Sequence, residues 1–380
     1  MTALPAQPVD TIILGAGPAG ASAAFHLARH GRHVVLFERE ERGRGKACGG
    51  GMAASVQRWF PFDLSPAVDQ VIREVRFTWA LEDPVRAVLP GEAPFWIVRR
   101  SVLDAFLADR AGEAGADLRF GTEVVAVERQ GDLWNVVDQH GQALASRSLL
   151  IANGSSSPLP GRLGLGPSRP RFATTLSLEV ECPIANPDLA RFDFGLVPQG
   201  FCWVFPRQRG YSIGVGTFLG AEDLDADAVL RRLLPSLGLS PEAGQRRPTR
   251  LRVWDGHHPL DGPGVLVAGD AASLCDPFLA EGLRPALMSG CQAGLALEAW
   301  LGGDVQALKR YTATIRRDWG ESMGWGKRIA QVFYRFPRVG YQLGIKRPTA
   351  PQRIAQILSG EMGYGDIAQR VIRRLLFQRG

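Results

Sequence analysis

Three glycines near the N-terminus have the spacing that brings a polypeptide backbone close to a pyrophosphate. Gly15, Gly17 and Gly20 form a GxGxxG pattern between the apolar run 11–14 and the alanine-rich segment 21–30. In such a strand–turn–helix unit, the first glycine allows the tight turn and the second leaves room for the pyrophosphate. The third lets the helix pack closely on the strand, and the helix N-terminus attracts the anion. The alternative is an ordinary glycine turn.

A carboxylate stands where such a unit binds a ribose. Glu38 follows a second apolar run, Val34–Phe37, and lies eighteen residues after Gly20. A carboxylate at that place accepts hydrogen bonds from a ribose 2′-hydroxyl and repels a 2′-phosphate. The N-terminal unit therefore predicts a site for FAD or NAD and not for NADP, unless Glu38 is simply exposed to solvent.

A second turn of small residues lies some 250 residues further along the chain. The segment Gly269-Asp270-Ala271-Ala272 follows a short apolar run at 265–268 and precedes Pro277 and Gly282. An aspartate at the end of a strand can hydrogen-bond a polyol chain. A helix that begins near Gly282 would direct its positive end at the negative charge of a reduced flavin. Two such distant turns predict FAD, which is long enough to need both.

Hydrophobic periodicity predicts the elements that must hold these turns. The first forty residues read as β–α–β, and a helix of small residues is expected to end near residue 302. Alternating apolar residues predict an antiparallel sheet whose strands span 174–181, 192–197, 201–205 and 211–218. Residues 223–238 and the chain after 303 are expected to be helical, and 241–250 is expected to be a polar connection.

These elements predict a mixed α/β fold, with a Rossmann-type FAD-binding domain, an inserted antiparallel-sheet substrate domain and a helical C-terminal region. The FAD-binding domain is discontinuous and is assigned to residues 1–60, 98–170 and 250–302. The substrate domain is assigned to 61–97 and 171–249, and the C-terminal region to 303–380.

Composition and charge exclude several classes of protein. The chain has 380 residues, of which 45% are hydrophobic and 22% charged, so it is neither disordered nor collagen-like. Its formal charge of +6 is uneven, because residues 303–380 hold fifteen Lys or Arg and five Asp or Glu, which leaves −4 for residues 1–302. Basic and aromatic residues do not alternate as they do in nucleic-acid modules, so no nucleic-acid partner is expected.

The cysteine, histidine and hydropathy patterns bear on disulfides, metal sites and cellular location. Five widely spaced cysteines without a CxxC pair predict neither a disulfide framework nor a zinc site. His26 and His30 lack a supporting cluster, so no metal is expected. The N-terminus has no signal-peptide pattern, and no apolar run is long enough to span a membrane. A cytoplasmic protein is expected, either free or peripheral on a membrane surface.

Three segments resemble the geranylgeranyl reductase family of flavoproteins, which has the para-hydroxybenzoate hydroxylase-type fold. Residues 198–206, PQGFCWVFP, resemble the family signature PxxYxWxFP, and residues 46–50, KACGG, resemble its cysteine–glycine loop. Residues 357–364 are similar to its C-terminal helices, and Arg100 matches an arginine that the family uses near the FAD phosphates. The segments occur in the family's order across nearly the whole chain.

Two positions depart from the family pattern. Phe201 stands where the signature has a tyrosine, which removes a phenolic hydroxyl. Asn153-Gly154 stands where an Asp-Gly pair often follows the third Rossmann strand, which weakens any inference about nicotinamide docking.

The resemblance implies an FAD-dependent reductase that saturates isolated double bonds of a geranylgeranyl or other polyprenyl chain, with NADPH or ferredoxin as electron donor. The alternating residues Phe201, Trp203 and Phe205 share one face of a strand and are expected to line the channel for the isoprenoid substrate, unless that face is only core packing. Cys48 is mostly a protonated thiol near neutral pH, so it could donate a proton or position a water. The alternative is that Cys48 is only a small, buried apolar residue without a role in the reaction.

The predicted catalytic residues are Cys48, Phe201 and Trp203. The predicted cofactor contacts are Gly15, Gly17, Ala19, Gly20, Glu38, Arg39, Cys48, Gly49, Arg100, Val124, Gly269, Asp270, Pro277, Gly282 and Leu283. Two other functions stay open. One is a flavin monooxygenase or halogenase on the same scaffold, although residues 203–206, WVFP, do not contain the halogenase pattern WxWxIP. The other is a flavin electron-transfer module at a membrane.

The end of the chain predicts a basic amphipathic helix. One half of its helical wheel is apolar and the other basic, formed respectively by Ile367, Val371, Ile372, Leu375 and Leu376 and by Arg370, Arg373 and Arg374. Two interpretations follow: the helix docks on the protein's own core, or residues 366–380 contact an anionic membrane.

Overall fold

The computed structural model describes residues 7–92, 94–218, 224–347 and 349–377, and the side chains among them up to Arg370. In chain order the elements are β1 (Val9–Leu14), α1 (Pro18–Ala28), β2 (Val34–Phe37), β3 (Gly51–Ala53), β4 (Val68–Ile72), β5 (Glu74–Trp79), β6 (Glu82–Val88), β7 (Phe95–Val98), α2 (Arg100–Glu113), β8 (Asp117–Arg119), β9 (Val124–Gln130), β10 (Leu133–Asp138), β11 (Ala143–Ile151), α3 (Leu159–Arg162), β12 (Arg171–Val180), β13 (Leu189–Phe194), β14 (Gly200–Pro206), β15 (Tyr211–Thr217), α4 (Ala226–Leu233), β16 (Arg247–Val253), β17 (Asp261–Gly262), β18 (Val265–Val267), α5 (Leu283–Leu301), α6 (Ala307–Ile315), α7 (Glu321–Arg335), α8 (Pro337–Gly344), α9 (Ala350–Leu358) and α10 (Tyr364–Phe377).

The first sheet is the expected Rossmann-type layer. Its main path runs β17-β18-β11-β1-β2-β8, with β10 and β9 continuing from β11. The pairs β1–β2, β1–β11, β2–β8 and β11–β18 are parallel, which buries the central strands on both faces. The four residues of β2 are accordingly all apolar and all buried. This layer confirms the predicted fold class.

Helices α1 and α5 pack against each other through small residues. A Cβ atom on Gly290 would collide with the carbonyl of Ala19, and one on Gly294 would lie 2.9 Å from the carbonyl oxygen of Ala23. The small residues after Gly282, from which a helix was predicted, are therefore explained by the packing of α5 on α1. They let α5 approach α1 more closely than larger side chains would allow.

The second sheet has seven strands in the order β16-β12-β15-β14-β13-β5-β6. Every pair in it is antiparallel except β5–β13, so the sheet is mixed where a purely antiparallel one was predicted. The prediction that 241–250 is only a connection was wrong, because β16 begins at Arg247. Its Pro248 agrees with the position of β16 at the edge of the sheet, where proline is tolerated.

A third, three-stranded sheet has the order β3-β7-β4 and is wholly antiparallel. It joins residues 51–53, from the predicted FAD-binding domain, to residues 68–72 and 95–98. The predicted domain bounds stay a prediction. The sheet matters for the site because it holds the start of α2 and the end of the cysteine–glycine loop.

Buried aromatic side chains of the C-terminal region donate hydrogen bonds to β18 and to the segment that follows it. The Tyr311 hydroxyl donates to the Val267 carbonyl at 2.8 Å, and the Trp319 Nε1–H donates to the Leu274 carbonyl at 2.8 Å. At the start of α10, Ile367 packs against the main core. The residues predicted to form the apolar and basic halves of the wheel from 371 onward lie outside the described side chains. No helix in the described ranges is long and apolar enough to cross a membrane.

One buried carboxylate connects the last helix to the second glycine turn. Oδ1 of Asp276 accepts hydrogen bonds from the Phe278 and Leu279 N–H groups, and its Oδ2 accepts one from the Tyr364 hydroxyl at 2.6 Å. Asp276 is fully buried, and burial raises its pKa against the lowering effect of these hydrogen bonds.

We expect Tyr364→Phe to lower the free energy of unfolding by about 2 kcal/mol, because it removes a hydrogen bond to a buried acidic group. Tyr334→Phe is the matched control, since the Tyr334 hydroxyl donates to the neutral Phe278 carbonyl at 3.2 Å. Its cost should be about 1 kcal/mol. Urea unfolding of both variants measures the difference, and equal costs would contradict the role assigned to Asp276.

Candidate active site

A single large cavity of about 1000 Å³ collects most of the residues singled out from the sequence. Its walls come from the loops at the carboxyl ends of β1, β2, β11 and β18, from the start of α5, and from β12, β14 and β16 of the second sheet. One end of the cavity is therefore formed by the two glycine turns, and the other by the second sheet. Of the predicted site residues, Gly20 and Pro277 are absent from the lining.

The first turn leaves open space where its middle glycine lies. Gly15 has φ +98° and packs on Ala152, so a side chain there would be strained and crowded. A Cβ atom on Gly20 would collide with the Gly15 carbonyl, which makes Gly20 a packing position. A Cβ atom on Gly17, in contrast, would meet only the Arg100 guanidinium, at 3.8 Å. The cavity at Gly17 is a cradle that a side chain would fill and a pyrophosphate fits.

Glu38 is held rigidly at the end of β2. It is 5% exposed, and its Oε2 accepts a hydrogen bond from the Ala16 N–H at 2.9 Å while its Oε1 accepts one from the Glu40 N–H at 3.1 Å. Arg44 lies 3.3 Å from the same carboxylate and was not found from the sequence. Arg39 and Val124 line the cavity beside it. The carboxylate is thus fixed in place while still facing a ligand-sized space.

Arg100 provides a buried cation beside the first turn. Its guanidinium donates two hydrogen bonds to Asp104, at 2.7 and 2.6 Å, from one turn earlier on α2. Burial disfavours the charged form, but the Asp104 carboxylate outweighs burial and raises the pKa of Arg100. Arg100 is therefore permanently charged, and it faces the open space at Gly17. Asp104 was missed, although its i, i+4 spacing from Arg100 was visible in the sequence.

The second turn lies beside the first, since a Cβ atom on Gly269 would lie 3.0 Å from the Ala19 Cβ. Gly269 has φ +63°, and its N–H donates to the Ser289 Oγ at 2.9 Å, which ties the turn to α5. Asp270 lies 3.5 Å from Lys46 of the cysteine–glycine loop. Gly282 is the N-cap residue of α5, and a Cβ atom there would meet only side-chain atoms at 3.6 Å or beyond. The N-terminus of α5 is thus open to a ligand, as the helix-dipole interpretation requires.

The aromatic strand forms the other end of the cavity. Phe201, Trp203 and Phe205 of β14 all line it and are all buried. The Phe205 ring lies 5.3 Å from that of Phe192 and 6.2 Å from that of Phe95, in edge-to-face contacts. This wall excludes water and lines the cavity with aromatic rings.

The Trp203 indole has a specific orientation. Trp203 faces Gly214 on the neighbouring strand, and a Cβ atom on Gly214 would overlap its ring. Its Nε1 is buried and has no hydrogen-bond partner among the described residues. A Cβ atom on Gly49 would lie 3.0 Å from that nitrogen. The indole nitrogen therefore lies against the cysteine–glycine loop.

Cys48 lines the cavity between its two ends. It lies in the loop that approaches Asp270 through Lys46 and the aromatic strand through Gly49. It is half-buried, and its Sγ accepts a hydrogen bond from the Gly50 N–H at 3.4 Å. Its neighbour Gly49 touches the aromatic wall. By contrast, Cys202 and Cys291 are buried elsewhere, and burial raises the pKa of both thiols, that of Cys291 to about 11. The structure separates Cys48 from the packing cysteines.

Glu281 is a cavity residue that the sequence did not reveal. Its carboxylate forms an ion pair with Arg284 at 2.7 Å, while its Oε1 is buried without a partner among the described residues. Burial raises the pKa of Glu281 to about 7, although Arg284 opposes the rise. The only available signal was a lone charge between the apolar residues 277–280 and the N-cap glycine. Glu281 can hold a proton near neutral pH at the wall of the site.

The raised pKa has a consequence for stability. The native state binds more protons than the unfolded chain between the reference pKa of 4.5 and about 7, so stability falls as pH rises through that window. Glu281→Gln removes this titration. We expect the difference in unfolding free energy, wild type minus variant, to decrease by about 3 kcal/mol from pH 4 to pH 8.

Denaturant unfolding at several pH values measures this difference. The same change at the exposed Glu113 serves as the control and should leave the wild-type pH dependence unchanged. Parallel pH curves for wild type and Glu281→Gln would show that Glu281 is not the titrating group.

Comparisons with known proteins agree with this arrangement. The sequence model of the FAD dependent oxidoreductase family matches residues 94–300, and that of the pyridine nucleotide-disulphide oxidoreductases matches 9–175. A structure described as geranylgeranyl bacteriochlorophyll reductase-like, from Thermoplasma acidophilum, has a TM-score of 0.78 at 20% identity, covering 86% of this chain and 88% of that one. A flavin-dependent brominase has a TM-score of 0.69 at 20% identity, with 97% and 100% covered. Both likenesses concern the fold.

Sequence relatives narrow the family. The chain is 30% identical to digeranylgeranylglycerophospholipid reductase 2 of Methanothermobacter thermautotrophicus, covering 83% of this chain and 85% of the relative. It is 31% identical to geranylgeranyl diphosphate reductase of Rhodobacter capsulatus, with 77% and 75% covered. It is also 31% identical to menaquinone reductase of Mycolicibacterium smegmatis, with 78% and 77% covered. With its two glycine turns, its aromatic strand and these relatives, the chain belongs to the geranylgeranyl reductase family of FAD-dependent oxidoreductases.

Proposed function

We propose that this protein uses FAD to saturate isolated double bonds of a geranylgeranyl or other polyprenyl chain carried by a chlorophyll precursor, a lipid or a prenylquinone. The observation that carries the proposal is the continuity of the cavity. The two glycine turns and the aromatic face of β14 line one space, so a flavin and an apolar chain could meet inside it.

The residues of the first half of the cavity suit FAD by their chemistry. Arg100 and the N–H groups beside Gly17 would bind the pyrophosphate, and Glu38 would accept hydrogen bonds from the ribose hydroxyls. Asp270 would bind the ribityl chain, and the N-terminus of α5 at Gly282 would lie at the flavin ring. When bound, FAD supplies the hydride that reduces the double bond.

The other half of the cavity suits an isolated alkene. Such a bond has no carbonyl to activate it, so it must receive a proton as well as a hydride, in a place that excludes water. The rings of Phe201, Trp203 and Phe205 would hold the chain and keep water out. The family's tyrosine is absent at Phe201, so its hydroxyl takes no part in the reaction.

Cys48 is the residue that we propose as proton donor, directly or through a water that it positions. It is a free thiol at the junction of the two halves, and the Gly50 N–H holds its sulfur. The buried indole nitrogen of Trp203 lies against the same loop, and its N–H would fix the loop or the water. Both roles place a proton beside the bond to be reduced.

The electron donor is proposed to be NADPH or a ferredoxin. Glu38 disfavours a 2′-phosphate in the FAD site, so NADPH would have to reduce the flavin from outside that site. Anaerobic mixing with each donor in turn, followed by the loss of flavin absorbance, would distinguish them. A cytoplasmic protein that touches a membrane surface agrees with a lipid-borne substrate.

The function is tested by mass spectrometry of the products. Reduced enzyme is incubated separately with geranylgeranyl diphosphate, a geranylgeranylated pigment precursor and a prenylquinone. We expect mass increases by pairs of hydrogen atoms on at least one of them. Unchanged masses, with electrons passed on to a quinone ring, would instead support a flavin electron-transfer module; hydroxylated or halogenated products would support the other alternative.

Cys48→Ala should keep FAD bound and lower the rate of alkene reduction by about 10²–10⁴-fold, the usual contribution of a positioned proton donor. Cys182→Ala is the matched control, because Cys182 is also half-buried but lies outside the cavity lining. Flavin absorbance and single-turnover rates are the measurements. Full activity of the Cys48 variant would remove the thiol from the mechanism.

A further inference from the structure

Four large apolar side chains are exposed within twelve residues of the C-terminal region. Val332 lies on α7, Phe336 follows it, and Val339 and Leu343 lie on α8; their exposed fractions are 70%, 58%, 55% and 52%. Single exposed apolar residues are ordinary, whereas a cluster of them bordered by charge marks a contact surface. We call these four side chains the α7–α8 patch.

The helices that carry the patch are firmly packed on their inner side. The Phe333 ring lies 5.3 Å from that of Phe194, and a Cβ atom on Gly340 would lie 2.8 Å from the Phe333 ring, so α8 closely approaches α7. The buried Tyr341 hydroxyl donates to the Asp83 carbonyl at 2.7 Å. The patch is therefore held outward by a fixed framework.

The charge around the patch is mainly positive, and the acidic residue beside it, Asp83, forms an ion pair with Lys346 at 2.5 Å. Residues 322–360 contain no Asp or Glu and seven Lys or Arg, namely Lys327, Arg328, Arg335, Arg338, Lys346, Arg347 and Arg353. This segment carries most of the net charge of +10 found in residues 303–380, whereas residues 361–380 carry only +2. Arg335 and Arg338 are exposed and lie directly beside Phe336 and Val339 in the sequence.

We propose that the α7–α8 patch docks this protein on an anionic lipid surface. Apolar side chains at the centre would enter the boundary of the acyl chains, and the surrounding cations would meet anionic head groups. A second copy of the chain fits less well, since it would bring two mainly basic surfaces together. A nucleic acid would match the charge but leave the apolar side chains in water.

The proposed docking surface is not the one predicted from the sequence. Within residues 366–370, Ala368 is buried and Ile367 packs against the core, so the apolar face of this part of α10 is turned inward. The α7–α8 patch instead lies over aromatic side chains that reach the aromatic strand at the cavity. Phe333, beneath it, contacts Phe194, whose ring lies 5.7 Å from that of Phe201 in the cavity.

Co-sedimentation of the full chain with vesicles tests the proposal. Vesicles of phosphatidylglycerol mixed with phosphatidylcholine should bind the protein, less at high salt than at low salt, and pure phosphatidylcholine vesicles should bind it far less. The double variant Phe336→Ser/Val339→Ser should weaken binding by about tenfold or more, and Arg335→Gln/Arg338→Gln should weaken it mainly at low salt. Val305→Ser, at a 74% exposed valine elsewhere, is the matched control and should bind like wild type.

Several outcomes would overturn the proposal. They are equal binding of wild type and the Phe336/Val339 variant, loss of binding only on truncation after Arg370, or a wild-type dimer that the same variant converts to a monomer without any vesicle binding. Circular dichroism of each variant confirms folding, since the substituted side chains are exposed.

The inference rests on the proposed function only for its purpose, namely access to a prenyl chain held in lipid. Vesicle binding without reduction of any prenyl substrate would remove the function and leave the surface. Reduction of detergent-solubilised substrate without vesicle binding would support the function and remove the docking surface.

Discussion

The close contact between α1 and α5 is the constraint on which the rest of the site depends. Gly290 meets the backbone at Ala19, and a Cβ atom on Gly269 would lie 3.0 Å from the Ala19 Cβ. These approaches bring together two turns that lie some 250 residues apart. A larger side chain at Gly290 would separate the helices and with them the two ends of the cofactor cradle. The small residues of α5 are thus a condition for binding one long cofactor at both ends.

Buried charge is the second feature that shapes the site. Arg100 with Asp104, Glu38 with Arg44 and Glu281 with Arg284 each place an ionisable group at the cavity and give it a partner of opposite charge. An unpaired charge in such a place would be far more costly to bury. The partners also restrict the side-chain positions, so the polar groups are already oriented before a ligand enters. At Glu281, burial outweighs the effect of Arg284 and raises the pKa of the carboxyl.

Much of this architecture could be predicted from local pattern. The GxGxxG turn, Glu38 at the end of β2 and the Gly269–Asp270 turn all line one cavity, because strand–turn–helix units have nearly the same geometry wherever they occur. The edge strand β16 was not predicted, because its polar, proline-containing sequence is typical of loops and only its pairing with β12 makes it a strand. The ion pair of Arg44 with Glu38 was also missed, because only the folded loop brings the two residues together. Asp104 was missed although its i, i+4 spacing from Arg100 is a local signal.

The fold class, the cofactor and the family could be inferred from the sequence alone, since they depend on short motifs whose chemistry is local. The sequence also showed that the C-terminal region is basic. Which side chains of that region are exposed became clear from the folded structure, where Tyr364 lies in the core and Phe336 at the surface. The folded structure likewise showed that Glu281 titrates near neutral pH while Cys202 is inert packing. Exposure and pKa depend on the atoms that surround a group, and those atoms come from distant parts of the chain.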